Sequence, residues 1–257
     1  MQRLMTITPN QTIVLDHKNA DTKARSITKE EEKIFTNVSG KLRVDRAVHK
    51  ENFFNDFNQE WLSLRMFSTE GPALITGDVN ADNRMDFVLL GATGDDDKLF
   101  IQYQEGTFQR KQLAALSQDS VFESTCGTLM DINGDGSLDL IIGSGGNEAS
   151  RDKKYFSLRV YTNDGKGNFK KAEQIMPALT GNFSCVVPHD FDSDGFTDLF
   201  LGSRLVPGSY GIIPKSFLLK NNKGSFVDVT PSSIGGVGLV TDAAWTDYDN
   251  DGDKDLF

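Results

Sequence analysis

The sequence predicts an all-β chain built of four-stranded antiparallel blades, an incomplete β-propeller with three full blades and the start of a fourth, and three observations predict it. An acidic nine-residue run recurs four times, opening at Asp78, Asp131, Asp190 and Asp247, at steps of 53, 59 and 57 residues. Short apolar segments of strand length precede and follow each run. Gly-Ala or Gly-Ser and then Gly-x-Phe come at fixed offsets behind the first three runs. Self-similarity at this period marks a repeated supersecondary unit, and four short strands per unit suit a radial blade.

In chain order, residues 1–70 carry no acidic run. Thr12 to Leu15 reads as a strand, Asp16 to Lys33 as polar and irregular, and Ile34 to Val38 as a second strand. From Asn52 to Trp61, Phe53, Phe54, Phe57 and Trp61 fall at helical spacing, which predicts one amphipathic turn or short helix plugged onto a core. Residues 34–70 are thus a lead-in with a possible ring-closing strand and a short helix, and residues 71–257 are the partial propeller. Its blades are expected at about 71–120, 121–180, 181–238 and 239–257.

Within a blade, the first strands are Ala73 to Ile75, Thr128 to Met130, Cys185 to Val187 and Ala243 to Trp245. The second are Phe87 to Leu90, Leu138 to Ile142, Leu199 to Leu201 and the two residues Leu256 and Phe257. Near-continuous apolar runs of this kind predict strands covered on both faces. Third strands follow at Leu99 to Tyr103, Phe156 to Tyr161 and Ser216 to Leu219. Turn residues then lead into fourth strands opened by Gly106-Thr107-Phe108, Gly167-Asn168-Phe169 and Gly224-Ser225-Phe226.

The acidic runs predict calcium loops. Calcium takes six to eight oxygens at about 2.3–2.6 Å, and a short loop supplies them by turning alternate side chains inward. Positions 1, 3, 5, 7 and 9 are Asp78, Asn80, Asp82, Arg84 and Asp86; Asp131, Asn133, Asp135, Ser137 and Asp139; Asp190, Asp192, Asp194, Phe196 and Asp198; and Asp247, Asp249, Asp251, Asp253 and Asp255. Position 7 offers its backbone carbonyl, position 9 closes the shell, and glycine at position 6 permits a positive φ. Up to four calcium ions are expected, one per loop. The first loop departs from the pattern, with Asn83 at position 6 and the Arg84 cation at position 7, so 78–86 is expected to bind calcium most weakly. An EF-hand is excluded, because position 12 is Leu89, Ile142 or Leu201 rather than glutamate and the flanks are strands.

Charge and composition narrow the function. The net charge of −10 argues against nucleic acid as a partner, since phosphate binding needs a basic stripe. The loops hold 15 of the 37 acidic residues, and four calcium ions would bring the formal charge to −2. No segment has the apolar length of a signal peptide core or a membrane span, which argues against direct membrane insertion. Cys126 and Cys185 each stand five residues before a loop, at equivalent positions of adjacent repeats; two buried thiols is the expectation, with a bond the alternative. His17, His49 and His189 are scattered and receive no catalytic role. Outside the loops there is no nucleophile elbow, no H-E-x-x-H and no Ser/His/Asp grouping, so no catalytic residue is assigned. The alternative is a polysaccharide-acting hydrolase or lyase that uses loop carboxylates in pairs.

The order of apolar strand, D-x-[DN]-x-D-G-x-x-D, apolar strand, Gly-[AS] and Gly-x-Phe over residues 71–257 resembles the FG-GAP or VCBS repeat of integrin-α-like propellers. The resemblance implies a calcium loop between the first and second strands of each blade and a ring of seven blades. Residues 1–33, through Thr6 to Val14, are similar to the tail of the ASPIC/UnbV segment that accompanies such propellers in secreted bacterial proteins. It implies an extracellular, periplasmic or cell-surface setting. It also implies structural calcium, and a non-enzymatic module that binds a protein or glycan ligand. Recognition is then expected from the loops at 147–154 and 205–214, the latter carrying Tyr210. Because the chain stops at Phe257, just past the fourth loop, it is expected to be a piece of a longer protein whose remaining blades close the ring.

Overall fold

The computed structural model describes residue 18 and residues 35–44, 47–148 and 152–257. The chain divides into two units, Met1–Val38 and Ser39–Phe257. In the first, the strand expected at Thr12 to Leu15 and the segment similar to ASPIC/UnbV lie outside the described residues, and residues 35–38 form no strand.

The second unit is an array of meanders. Strands β1 (Leu74–Gly77), β2 (Asp86–Leu89), β3 (Lys98–Gln102) and β4 (Phe108–Lys111) pair antiparallel in that order. The same order holds for β5 (Ser124–Met130), β6 (Asp139–Ser144), β7 (Leu158–Asn163) and β8 (Phe169–Ala172), and for β9 (Asn182–His189), β10 (Asp198–Leu205), β11 (Phe217–Asn221) and β12 (Phe226–Asp228). A fourth sheet has two strands, β13 (Trp245–Thr246) and β14 (Asp255–Leu256). The first strands β1, β5 and β9 pack beside one another, so the sheets fan out from a common inner edge as propeller blades do.

The apolar runs of the second strands now have a reason. Along β6, Ile141 packs into a core shared with Leu199, Leu201 and Phe217 of the third sheet, while Leu140 and Ile142 pack with Val88, Leu90 and Leu99 of the first. Alternate side chains therefore serve two different neighbours, and all must be apolar. A third core joins Phe200 and Leu218 to Trp245 and Leu256 of the fourth sheet. Strand β1 departs from the expected two-sided burial: Leu74 is 60 % exposed, while Ile75 is buried in the core shared with the second sheet.

The thiols explain the Gly-Ser pairs. Cys126 pairs with Gly143 across β5 and β6, and Cys185 with Gly202 across β9 and β10. A Cβ on either glycine would stand 2.6 Å from the sulfur. Both cysteines are free and buried, and burial pushes the Cys126 thiol up to about 12.

One asparagine per blade ties it to the blade before. The Asn163 amide, at the end of β7, donates to the Val79 carbonyl of the first loop (2.8 Å) and to its own loop's Leu138 carbonyl (3.0 Å). Asn221 repeats this one blade on, donating to Ile132 (2.9 Å) and Thr197 (3.1 Å). Each also accepts a turn N–H, from Gly167 or Gly224. We expect Asn221→Ala to destabilise the chain by about 2–4 kcal/mol, since buried carbonyls lose their donor; a urea midpoint unchanged from wild type contradicts the assignment.

The lead-in differs from expectation. Residues 52–61 form only a 3₁₀ turn at Asp56–Asn58, and Phe53 and Trp61 are 100 % and 85 % exposed rather than plugged into a core. Polar groups anchor this segment instead. Asp56 Oδ2 accepts the Ser68 N–H (2.9 Å), Glu60 Oε2 accepts the Tyr210 N–H (3.1 Å), and His49 Nδ1 bonds the Leu90 carbonyl (2.9 Å). Helix α1 (Ser39–Leu42) lies within the lead-in, α2 (Ala114–Gln118) and α3 (Ser232–Gly235) lie in connections after β4 and β12, and no described helix is long and apolar enough to cross a membrane.

Candidate metal centres

All four acidic runs are the loops between first and second strands, so they share one face of the fan. Their backbones are alike. Position 6 is left-handed in each, at Asn83 (φ 63), Gly136 (φ 85), Gly195 (φ 90) and Gly252 (φ 100). Position 4 is left-handed as well, at Ala81 (φ 57), Gly134 (φ 79), Ser193 (φ 59) and Asn250 (φ 60). Alanine and serine occupy this region at a cost of roughly 1 kcal/mol or more, so at Ala81 and Ser193 the loop geometry overrides the residue's own preference.

In the first three loops the carboxylates organise that backbone. Position 1 takes the N–H groups of positions 5 and 6: Asp131 accepts from Asp135 (3.2 Å) and Gly136 (2.8 Å), and Asp190 accepts from Asp194 (3.1 Å) and Gly195 (2.9 Å). Asp78 does the same for Asp82 (3.1 Å) and Asn83 (2.7 Å). Position 5 accepts the position-7 N–H, from Arg84, Ser137, Phe196 and, in the fourth loop, Asp253. These bonds hold Asp135 and Asp194 below the usual carboxylate range. Asp253 is pushed the other way, chiefly by the charge of Asp251.

Position 9 behaves differently. Asp86, Asp139 and Asp198 are each 0 % exposed. One oxygen of each accepts the position-2 N–H, from Val79 (3.0 Å), Ile132 (3.2 Å) and Phe191 (3.1 Å). The other accepts an N–H from the end of the third strand, at Gln102 (2.8 Å), Asn163 (2.8 Å) and Asn221 (2.7 Å). Burial pushes all three carboxyls up, and these N–H groups partly offset it. Position 9 therefore ties the loop to the sheet, a task that the spacing alone does not reveal.

Carboxylates converge in two loops. Oxygens of Asp190, Asp192 and Asp194 lie within 4.8 Å of one another, as do those of Asp247, Asp249 and Asp255. In the fourth loop Asp247 Oδ1 is buried without a partner, while Asp249 accepts the Asp251 N–H (3.2 Å) and Asp255 Oδ2 accepts the Tyr248 N–H (3.0 Å). In the first and second loops position 3 is an asparagine: Asn80 and Asn133 each donate to the position-5 carboxylate (3.0 Å).

Two cations stand at the loops. Arg84 bonds Asp82 Oδ2 (2.6 Å) and the Gln102 carbonyl (3.2 Å), consistent with a first loop that carries its own positive charge. Lys220 of β11 reaches the third loop, bonding Asp192 and standing 3.0 Å from Asp194 Oδ2. Those carboxylates hold Lys220 above the usual lysine range. No motif marks Lys220 as a loop residue; only the pairing of β10 with β11 brings it there.

The FG-GAP-like repeat family model matches residues 78–142 and 131–201. Both matches run from one acidic loop through the next second strand, so residues 78–201 are similar to FG-GAP-like repeats. No curated protein matches the chain.

Proposed function

We propose that the chain is a non-enzymatic, calcium-binding propeller module of a secreted or cell-surface protein, in which calcium is structural and the opposite face binds a protein or glycan. The observation that carries the calcium reading is the convergence of carboxylates in a loop whose backbone recurs four times. Oxygen-only donors at this density suit a hard divalent cation. Asp190, Asp192 and Asp194, and Asp247, Asp249 and Asp255, would hold the ion in the third and fourth loops, and the buried, unpartnered Asp247 Oδ1 fits a cation. Asp78, Asn80 and Asp82, with Asp131, Asn133 and Asp135, would do so in the first two, where Arg84 and Ser137 offer carbonyls at position 7. Phe196 and Asp253 do the same in the other loops, and Asp86, Asp139 and Asp198 brace the shell from behind.

FG-GAP-like repeats are typical of extracellular and cell-surface proteins and are generally non-catalytic. The binding reading rests on the face opposite the loops. There Leu205, Val206, Pro207 and Pro214, with Phe156 and Lys215, line a cavity of about 360 Å³, while the Tyr210 ring packs against Phe67. Of the other expected recognition loop, 147–154, residues 149–151 lie outside the described residues. The remaining blades of a parent chain would complete the ring.

Calcium titration of loop variants tests the reading. Lys220→Ala should tighten the third loop roughly 2- to 10-fold, by removing a partly screened positive charge that competes with the ion. Asp190→Ala should abolish that site, and Asp78→Ala should change total binding least. Unchanged calcium binding in Asp190→Ala contradicts the reading; a first-loop variant that loses as much as the third overturns the ranking.

A further inference from the structure

On the face opposite the four loops, the connection from β4 to β5 and the connection from β6 to β7 bring two glutamates into one cavity. Glu123 and Glu148 line a space of about 370 Å³ together with Thr93, Ser120, Gly145 and Tyr155. Gly146 (φ +74) makes the approach possible: a Cβ there would stand within 2.7 Å of both Glu148 Oε2 and Glu123 Cγ. Glu123 is 5 % exposed and is held by the Thr93 N–H (2.7 Å). Glu148 Oε2 accepts the Asn147 N–H (3.0 Å), while its Oε1 is buried without a partner. Asn147 is 0 % exposed, and both atoms of its side-chain amide lack partners.

Buried acceptors left in this state cost about 1–3 kcal/mol each unless something satisfies them. The groups acting on the pair are mostly of the wrong sign to help. Glu51 and Asp56 of the lead-in add negative charge, and Asp56, itself 0 % exposed, has an unpartnered Oδ1. Hydrogen bonds from backbone N–H groups and from the Thr93 side chain oppose this, and no described cation stands with them. Arg159, which stacks over Phe122, is committed to Asp97 (3.2 Å) and Ser124 (2.6 Å).

We propose that Glu123, Glu148 and the Asn147 amide oxygen form a further divalent-cation site between the first and second blades, separate from the acidic loops. Two carboxylates and an amide oxygen are a hard donor set suited to a calcium-class ion. Such an ion would cross-link two inter-strand connections and neutralise the acids of the lead-in.

The site differs from the loops in its coupling to protons. Burial, with the charge of Glu148, pushes Glu123 up to about 8, and burial, with the charges of Asp56 and Glu51, pushes Glu148 up to about 7. At neutral pH the metal-free pair holds protons that a cation must displace. The sign for stability follows. Folding raises these pKa values from 4.5, so the folded state binds more protons than the unfolded one between pH 4.5 and about 8, and stability falls as pH rises through that window.

The test is calorimetric titration of the chain with calcium alone, in buffers of different ionisation enthalpy. Wild type should show a binding step that releases about one proton per ion at pH 7. Glu123→Gln/Glu148→Gln should bind one ion fewer and lose that release. Its metal-free melting temperature should equal or exceed wild type at pH 8, which certifies that it folds. The proposal fails if the double variant keeps the wild-type calcium stoichiometry.

Discussion

Chelation is expected to lower the melting temperature of this chain by about 5–10 °C for each loop that holds calcium. Ligand present at a hundred times its dissociation constant stabilises by about 2.7 kcal/mol per site. A domain of this size shifts by about 2–4 °C per kcal/mol. The structure indicates where the effect originates. Oxygens of Asp190, Asp192 and Asp194 crowd within 4.8 Å, as do those of Asp247, Asp249 and Asp255, and without a divalent ion each set repels itself. Lys220 neutralises one charge of the third loop, while the fourth has only its own backbone. The fourth loop should therefore lose order first, with Trp245 and Leu256, which pack against Phe200 and Leu218, released along with it. Scanning calorimetry with calcium and with chelator measures this; superimposable transitions rule out structural calcium.

The blades were legible in sequence because each second strand reports two interfaces at once. Leu140, Ile141 and Ile142 read as a continuous apolar run since neighbours on both sides need them. Glycine at position 6 was equally legible, as the residue suited to a left-handed turn. Position 4 was not, for Ala81 and Ser193 adopt the same conformation without any local preference for it. The aromatic spacing of Phe53, Phe57 and Trp61 misled, because periodicity reports a pattern and not what the pattern packs against. Lys220, Glu123 and Glu148 stayed hidden for another reason. Their roles depend on pairings across 25 residues or more of chain, such as Glu123 with Glu148 and Lys220 with Asp194, which no local motif encodes.

Position 9 is where spacing and burial assign different work, and the two can be separated by mutation. Asp198 accepts N–H groups from Phe191 (3.1 Å) and Asn221 (2.7 Å) at 0 % exposure. Asp198→Ala leaves the buried Asn221 donor and the half-buried Phe191 donor unpaired, at about 1–3 kcal/mol for a buried group, and it opens a small cavity as well. We expect a loss of about 3–5 kcal/mol, in calcium and in chelator alike. Asp190→Ala makes the contrast. Its carboxylate accepts from Asp194 and Gly195, whose N–H groups lie in exposed residues and find water instead, so in chelator the variant should stay within about 1 kcal/mol of wild type. Only in calcium should it fall behind, by the binding energy of one site. Denaturant midpoints for both variants, with and without calcium, decide the matter. Equal losses in chelator would place position 9 among the ordinary ligands; a large loss confined to Asp198→Ala makes it the bolt that fastens each loop to its sheet, on which the ligands at positions 1, 3 and 5 depend.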